Sequence, residues 1–286
     1  EAIRWALRFF WQRKAELGDR RLTTSRVWDE NEQDNVTAPD AWAGWLGGAV
    51  DAAKTFIDDD VLGFMLAEGA KAEGDETEKD AAEGAKAGKK GKKTKGKGTI
   101  TRRRGVLEVT RAVSTTPYAG DLTFNARSGK KGSTSLYSTE VHATRYQYGF
   151  ALTPARLAVP WRVLPVLDAI AGLGEVAGNH SRFLYDFSPE SLVLRITDDM
   201  APRLLYCFDE RDGVIDVPTL VARVEGGDIA ASELIVGGLV ASSPGAQRLQ
   251  ALGATVLPGV LKATQEARAR LAARPDLAAL LAETRG

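Results

Sequence analysis

GVLEVTRAVSTTPYAGDLTFNAR, residues 105–127, and LYSTEVHATRYQYGFAL, residues 136–152, decide the fold of this chain. Val106 to Val113 alternates as a strand, with Leu107, Val109, Arg111 and Val113 on one face and Glu108 and Thr110 on the other. Ser114 to Ser135 is polar and carries Pro117, Gly120, Gly129 and Gly132, which predicts a long loop or protruding hairpin. Leu136 to Leu152 returns to a long strand pattern. It puts His142, Thr144, Tyr146, Tyr148 and Phe150 on one face and Val141, Ala143, Arg145 and Gln147 on the other.

Helical periods flank this pair. Residues 1–17 predict a helix with Ile3, Leu7 and Phe10 on one stripe, Trp5 and Phe9 beside it, and Arg4, Arg8 and Gln12 on another face. Gly18 and Asp19 are expected to stop it. Trp161 to Leu173 predicts a second helix after Pro160, with Pro165 near its first turn. Ser191 to Thr197 predicts a strand with Leu192, Leu194 and Ile196 on one face. The order is helix, strand, strand, helix, strand. The chain opens at Glu1 inside a helical pattern, and one strand before Glu1 would complete β-α-β-β-α-β. The expected fold is therefore α+β: a ferredoxin-like or RNA-recognition-type palm, its first strand missing from the chain, with insertions. The tail predicts a strand at 204–208, a helix capped by Asp216 with Pro218 early in it, a strand at 233–240, and helices near 244–252 and 258–284.

Composition constrains function. The chain has 286 residues, 44% of them hydrophobic, enough for a substantial core. Lys+Arg and Asp+Glu are each 38, so a nucleic-acid footprint has to come from charge placement. Residues 67–98 are low-complexity Ala, Gly, Glu and Lys and predict a disordered or mobile insertion. Lys86 to Arg104 holds seven Lys and three Arg with no acid, which reads either as a solvated linker or as a flexible basic arm touching phosphates. Trp28, Trp42, Trp45, Phe56, Phe64 and Met65 predict a packed, partly helical region over 20–66. The boundaries expected are 1–66 (first helix of the palm plus helical insertion), 67–104 (basic flexible insertion), 105–200 (palm strands with the loop 114–135) and 201–286 (packing around the palm). The single Cys207 allows no intrachain disulfide and is compatible with a reducing cytoplasm. No apolar run approaches the length of about 18 residues needed to span a membrane.

The 105–127 and 136–152 stretches resemble the DevR-type backbone family, within the RAMP superfamily, of type I CRISPR Cascade surveillance complexes, in an I-B-like form. IRWALRFFWQ (3–12), FIDDDVLGFM (56–65) and GNHSRFLYDFSPESLVLRIT (178–197) resemble the same family in the expected order, and the tail after Thr197 matches loosely. The resemblance implies an RNA-binding subunit without chemistry or cofactor. Copies stack head to tail along CRISPR guide RNA (crRNA), a thumb-like hairpin reaches over the neighbour, and the guide pairs with target DNA in antiviral defence or RNA-guided transposition. Other Cascade subunits, large and guide-end-capping, are the implied partners; no membrane is.

Candidate RNA contacts follow. Arg4 and Arg8 share a helix face suited to phosphate, or a merely solvated one. Arg111, Ser114, Thr115 and Thr116 offer a guanidinium, hydroxyls and backbone N–H groups at the strand-to-loop junction, although turn capping also explains the hydroxyls. Arg145 is a phosphate candidate, and Asn179, His180 and Arg182 lie in a Gly-rich turn that fits either a backbone clamp or a structural turn with His180 hydrogen-bonded locally. Tyr118, Leu122 and Phe124 could act as a thumb wedge or simply pack the hairpin. Base stacking by Tyr146 and Tyr148 competes with their packing in the core. Against catalysis, two histidines and one cysteine are too few for a metal cluster of those ligands, and no nucleophile–base–orienter set shows in the spacing. Asp58, Asp59 and Asp60 read either as a cation site or as acidic helix-start residues. The alternatives kept are a hydrolase or metal-dependent ribonuclease, suggested by His142 with Glu140 or by Asp121 on the loop, where the related type III backbone subunits imply a cleaving aspartate, and an RNA-recognition-type binder unrelated to CRISPR.

Overall fold

The computed structural model describes residues 2–13, 26–29, 34–37, 56–67, 100–127, 135–174 and 186–277. The chain is α+β. Its centre is a sheet of three strands, β11 (Ser191–Arg195), β14 (Leu234–Gly238) and β15 (Thr255–Leu257), in the order β11-β14-β15. β11 pairs antiparallel to β14, and β14 pairs parallel to β15. The parallel pair is joined through α5 (Pro244–Ala251), the crossover that such a pair requires.

Strand alternation sends side chains into two cores. Leu192, Leu194 and Ile235 enter one, together with Leu7 and Trp11 of α1 (Ala2–Gln12), α3 (Val163–Ala171), and Ala263, Ala267 and Leu271 of α6 (Val260–Ala273). Val193, Leu234 and Val236 enter the other, with Leu220 of α4 (Pro218–Glu225) and Ala246 and Leu249 of α5. Both faces of the sheet are covered, which explains its continuous apolar runs. Ile196 packs against the first core, on the predicted face of its strand. Gly237 sits where α6 crosses the sheet; a Cβ there would lie 2.5 Å from that of Ala263.

The helix α1 runs over Ala2–Gln12, and residues 14–17 of the predicted helix lie outside the described residues. Trp11 is fully buried, and its indole N–H donates to the Pro165 carbonyl at 3.0 Å. Pro165 lies in the first turn of α3, where the missing N–H costs no helical bond. That α3 is buried nearly all round; its Asp168 escapes to pair with Arg268 of α6 at 2.6 Å.

Several strands differ from expectation. β1 (Arg26–Asp29) and β2 (Asp34–Thr37) form an antiparallel hairpin in a region predicted partly helical; among its described residues the helix is α2 (Ile57–Leu62). α2 leads into β3 (Gly63–Ala67), which pairs with β4 (Ile100–Arg104). The strand predicted over 106–113 is two short pieces, β5 (Glu108–Val109) and β6 (Val113–Ser114), because Val106 and Leu107 turn their N–H groups to the Val61 carbonyl instead of a partner strand. The long strand over 136–152 is likewise split into β8 (Ser135–Val141), β9 (Tyr146–Gln147) and β10 (Phe150–Ala151). Its predicted common face is therefore lost: Tyr146 is exposed, whereas Phe150 packs against the first core. Tyr148 is largely buried, and burial pushes its phenol up to about 12. Residues 204–208 are a turn and not a strand. Asp216 does not cap α4. It ends β13 (Val214–Asp216), which pairs with β12 (Asp209–Arg211), and its carboxylate accepts from the Val217 and Gly245 N–H groups, the latter in the first turn of α5. Residues 68–98 of the predicted low-complexity insertion and the stop at Gly18 lie outside the described residues.

Candidate nucleic-acid interface

β6 and β9 bring the strand-to-loop junction together. Ser114 pairs with Tyr146, the Thr115 N–H donates to the Arg145 carbonyl at 3.0 Å, and the Thr116 and Thr144 hydroxyls lie 2.6 Å apart. Ser114, Thr115, Thr116 and Arg145 are thus neighbours. Arg111 is exposed beside them, its carbonyl accepting from the Tyr206 hydroxyl at 3.0 Å. Arg145 already has protein acceptors. Its Nε donates to Glu190 at 2.8 Å, and its Nη1 to Glu210 at 2.6 Å and to the Gly213 carbonyl at 3.4 Å. The Thr115 hydroxyl donates to the other Glu210 oxygen. The bonds to Glu190 and then Glu210 raise the Arg145 pKa, while the Thr115 hydroxyl and then Arg145 hold the Glu210 carboxyl below its usual range. Asp212 and Gly213 both have positive φ, 51° and 78°, which makes the two-residue turn that returns β13 alongside β12 and aims the Gly213 carbonyl inward.

The loop over 114–135 contains a true hairpin. β7 (Asp121–Arg127) pairs antiparallel to β8 and to no other strand among the described residues. The register Leu122↔Glu140, Phe124↔Ser138, Ala126↔Leu136 puts Leu122, Phe124 and Leu136 on one face. Phe124 and Leu136 are 86% and 84% exposed, so this apolar face is open to solvent and is not the packing of a hairpin core. Tyr118 stands at the base; its hydroxyl donates to Glu140, which pushes the phenol up to about 12, and its ring meets His142 edge-on at 4.9 Å. Asp121 is the first residue of β7, paired with Val141, and is not on a free loop. Among the described residues no group of three His, Cys, Asp or Glu could hold a metal ion, and no helix is long and apolar enough to cross a membrane.

Arg4 and Arg8 turn toward α2. Arg4 donates to the Leu62 carbonyl at 2.5 Å, and Arg8 to Asp58 at 3.4 Å. The acidic run at 58–60 is buried, and its Asp60 accepts from Arg103, Arg162 and the Ala158 and Val159 N–H groups. Asn179, His180 and Arg182 lie outside the described residues.

No protein-family profile matches the chain. The chain is 44% identical over 289 residues to the CRISPR-associated protein Cas7/Cst2/DevR of Myxococcus xanthus (strain DK1622), across 96% of its own length and 84% of that relative's. The chain belongs to the Cas7/Cst2/DevR family. At 96% coverage the similarity takes in most of the tail after Thr197, where the motifs compared only loosely. In this Cas7/Cst2/DevR protein the junction also contains Glu190 and Glu210, which sequence reading missed. They lie 45 and 65 positions from Arg145, beyond the reach of any local spacing rule. Leu136 was legible as an apolar residue, but only the β7–β8 register places it with Leu122 and Phe124.

Proposed function

We propose that this Cas7/Cst2/DevR chain is a non-catalytic backbone subunit that stacks head to tail along CRISPR guide RNA and holds it for pairing with target DNA, in antiviral defence or RNA-guided transposition. The observation that carries this reading is the β7–β8 hairpin. A two-stranded hairpin alone is marginal in water, and this one exposes Leu122, Phe124 and Leu136 together. Such a face gains most by lying on a neighbouring copy or against unstacked bases. The antiparallel pairing of β5 with β10 and the packing of α1 against α3 are compatible with an RNA-recognition-type palm. Arg111 and the Ser114–Thr116 hydroxyls at the hairpin's root suit backbone contacts, which position RNA and leave sequence to base pairing. The subtype is I-B-like, the setting the cytoplasm, and the partners are the large and guide-end-capping subunits of Cascade.

Purifying the full-length protein with its neighbouring subunits and sequencing the bound RNA tests the reading. Repeat-derived guides of uniform length are expected; unrelated cellular RNA would overturn it. Evenly spaced, magnesium-dependent cuts in complementary RNA that vanish in Asp121→Ala would overturn its non-catalytic part.

A further inference from the structure

The two carboxylates on Arg145 are unequal. Glu210 is the inner one, its side chain 8% exposed, and both of its oxygens are engaged, one by Arg145 and one by Thr115. Removing either donor would leave a nearly buried carboxylate short of a partner, a costly state. Glu190 is the outer one, its side chain 52% exposed, and it makes a single bond to Arg145 Nε. Water can replace that bond at little cost, as for other solvent-exposed pairs. The Glu190 backbone is fixed by the Leu239 N–H at 2.8 Å, so its side chain alone can swing away.

The guanidinium itself is half used. Nε and Nη1 are occupied, and Nη2 carries no hydrogen bond among the described residues. Nε and Nη2 form one edge of the planar fork, and that edge matches two oxygens of a phosphodiester. Glu190 covers only its Nε end.

We infer that Glu190 is an exchangeable occupant of an RNA phosphate site on Arg145, and that Glu210 is the positioning residue that holds the guanidinium and Thr115 in place while the phosphate replaces Glu190. The inference rests on the proposed RNA-binding function and adds to it which carboxylate yields. With both carboxylates seated, two negative charges face one positive charge, and RNA is repelled. With Glu190 swung out, the Nε/Nη2 edge is open and Glu210 still fixes its direction. No covalent step is involved; one anion replaces another on the same donors.

Two substitutions at one guanidinium should then have opposite effects. The probe is a fluorescein-labelled single-stranded RNA of mixed sequence, titrated with the full-length protein and followed by anisotropy. Glu190→Gln removes the competing charge and is expected to tighten binding by about threefold, the scale of an exposed ion pair. Glu210→Gln loses the charged anchor and is expected to weaken binding by about tenfold, the scale of a charged hydrogen bond. If Glu210→Gln fails to fold, Arg145→Lys carries the second arm: it keeps the charge, loses the fork and should bind more weakly than wild type. Failure of the wild type to bind RNA would count against the proposed function itself. A wild type that binds, with Glu190→Gln unchanged or weaker, or with Glu210→Gln (or its Arg145→Lys substitute) unchanged or tighter, overturns this inference alone.

Discussion

Arg162 and Asp60 stand 102 positions apart in the chain and meet at 2.9 Å, with side chains 4% and 0% exposed. Asp60 also accepts from Arg103 at 2.7 Å and from two successive backbone N–H groups, so one buried carboxylate ties α2 and β4 to the turn that precedes α3.

Breaking this node should be severe. Asp60→Asn keeps the volume but removes the negative charge that Arg103 and Arg162 share, and removal of one partner of a buried pair costs about 3–5 kcal/mol. Arg104→Ala, which removes an exposed pair with Glu108, should cost about 0.5 kcal/mol or less. Urea denaturation of both variants checks the contrast.

Gly237→Ala should destabilise although it adds one methyl group. The new Cβ would lie 2.5 Å from Ala263 Cβ and 2.9 Å from the Gly259 carbonyl oxygen. Neither neighbour is the flexible end of a long side chain, so α6 must shift off the sheet. Overpacking of this kind costs about 1–3 kcal/mol, read as a lowered thermal midpoint.

Phe124→Asp and Leu136→Asp should leave the stability of the single chain within about 0.5 kcal/mol of wild type, because both positions are almost fully exposed. Their effect should fall on assembly: shorter particles on guide RNA, seen by size-exclusion chromatography and electron microscopy. Equal loss of stability and assembly would show that the hairpin face packs internally.

Acid should weaken the fold over a defined window. Glu210 is held below its reference of 4.5, and Asp199 is lowered to about 2 by the Ala201 N–H and then by Arg203. Lowered carboxylates contribute stability that is fully present above the reference values and lost as pH falls through the folded ones. The loss is therefore expected between pH 4.5 and about 2. Cys207 and Tyr148 act on the other side. Burial raises them from 9.0 and 10.0 to about 12, so their contribution is present below pH 9 and lost as pH rises toward 12. Urea midpoints measured against pH should form a plateau that falls at both ends.

Local periodicity determined much of this protein. The apolar stripe of α1, the run of α3, the alternation of Leu192, Leu194 and Ile196, and the helices of the tail all follow from side chains a few positions apart, as does the Pro- and Gly-marked hairpin after Ser114. The motifs also carried the family. Tertiary structure decided the partners. It broke two long strands into short ones, because Val106 and Leu107 bond the Val61 carbonyl and Tyr148 turns inward. It buried Asp60, which a sequence shows only as one of three acids, and it set Glu190 and Glu210 on Arg145. Charge pairing across 45 to 102 residues depends on how the elements pack, and no spacing along the chain encodes it.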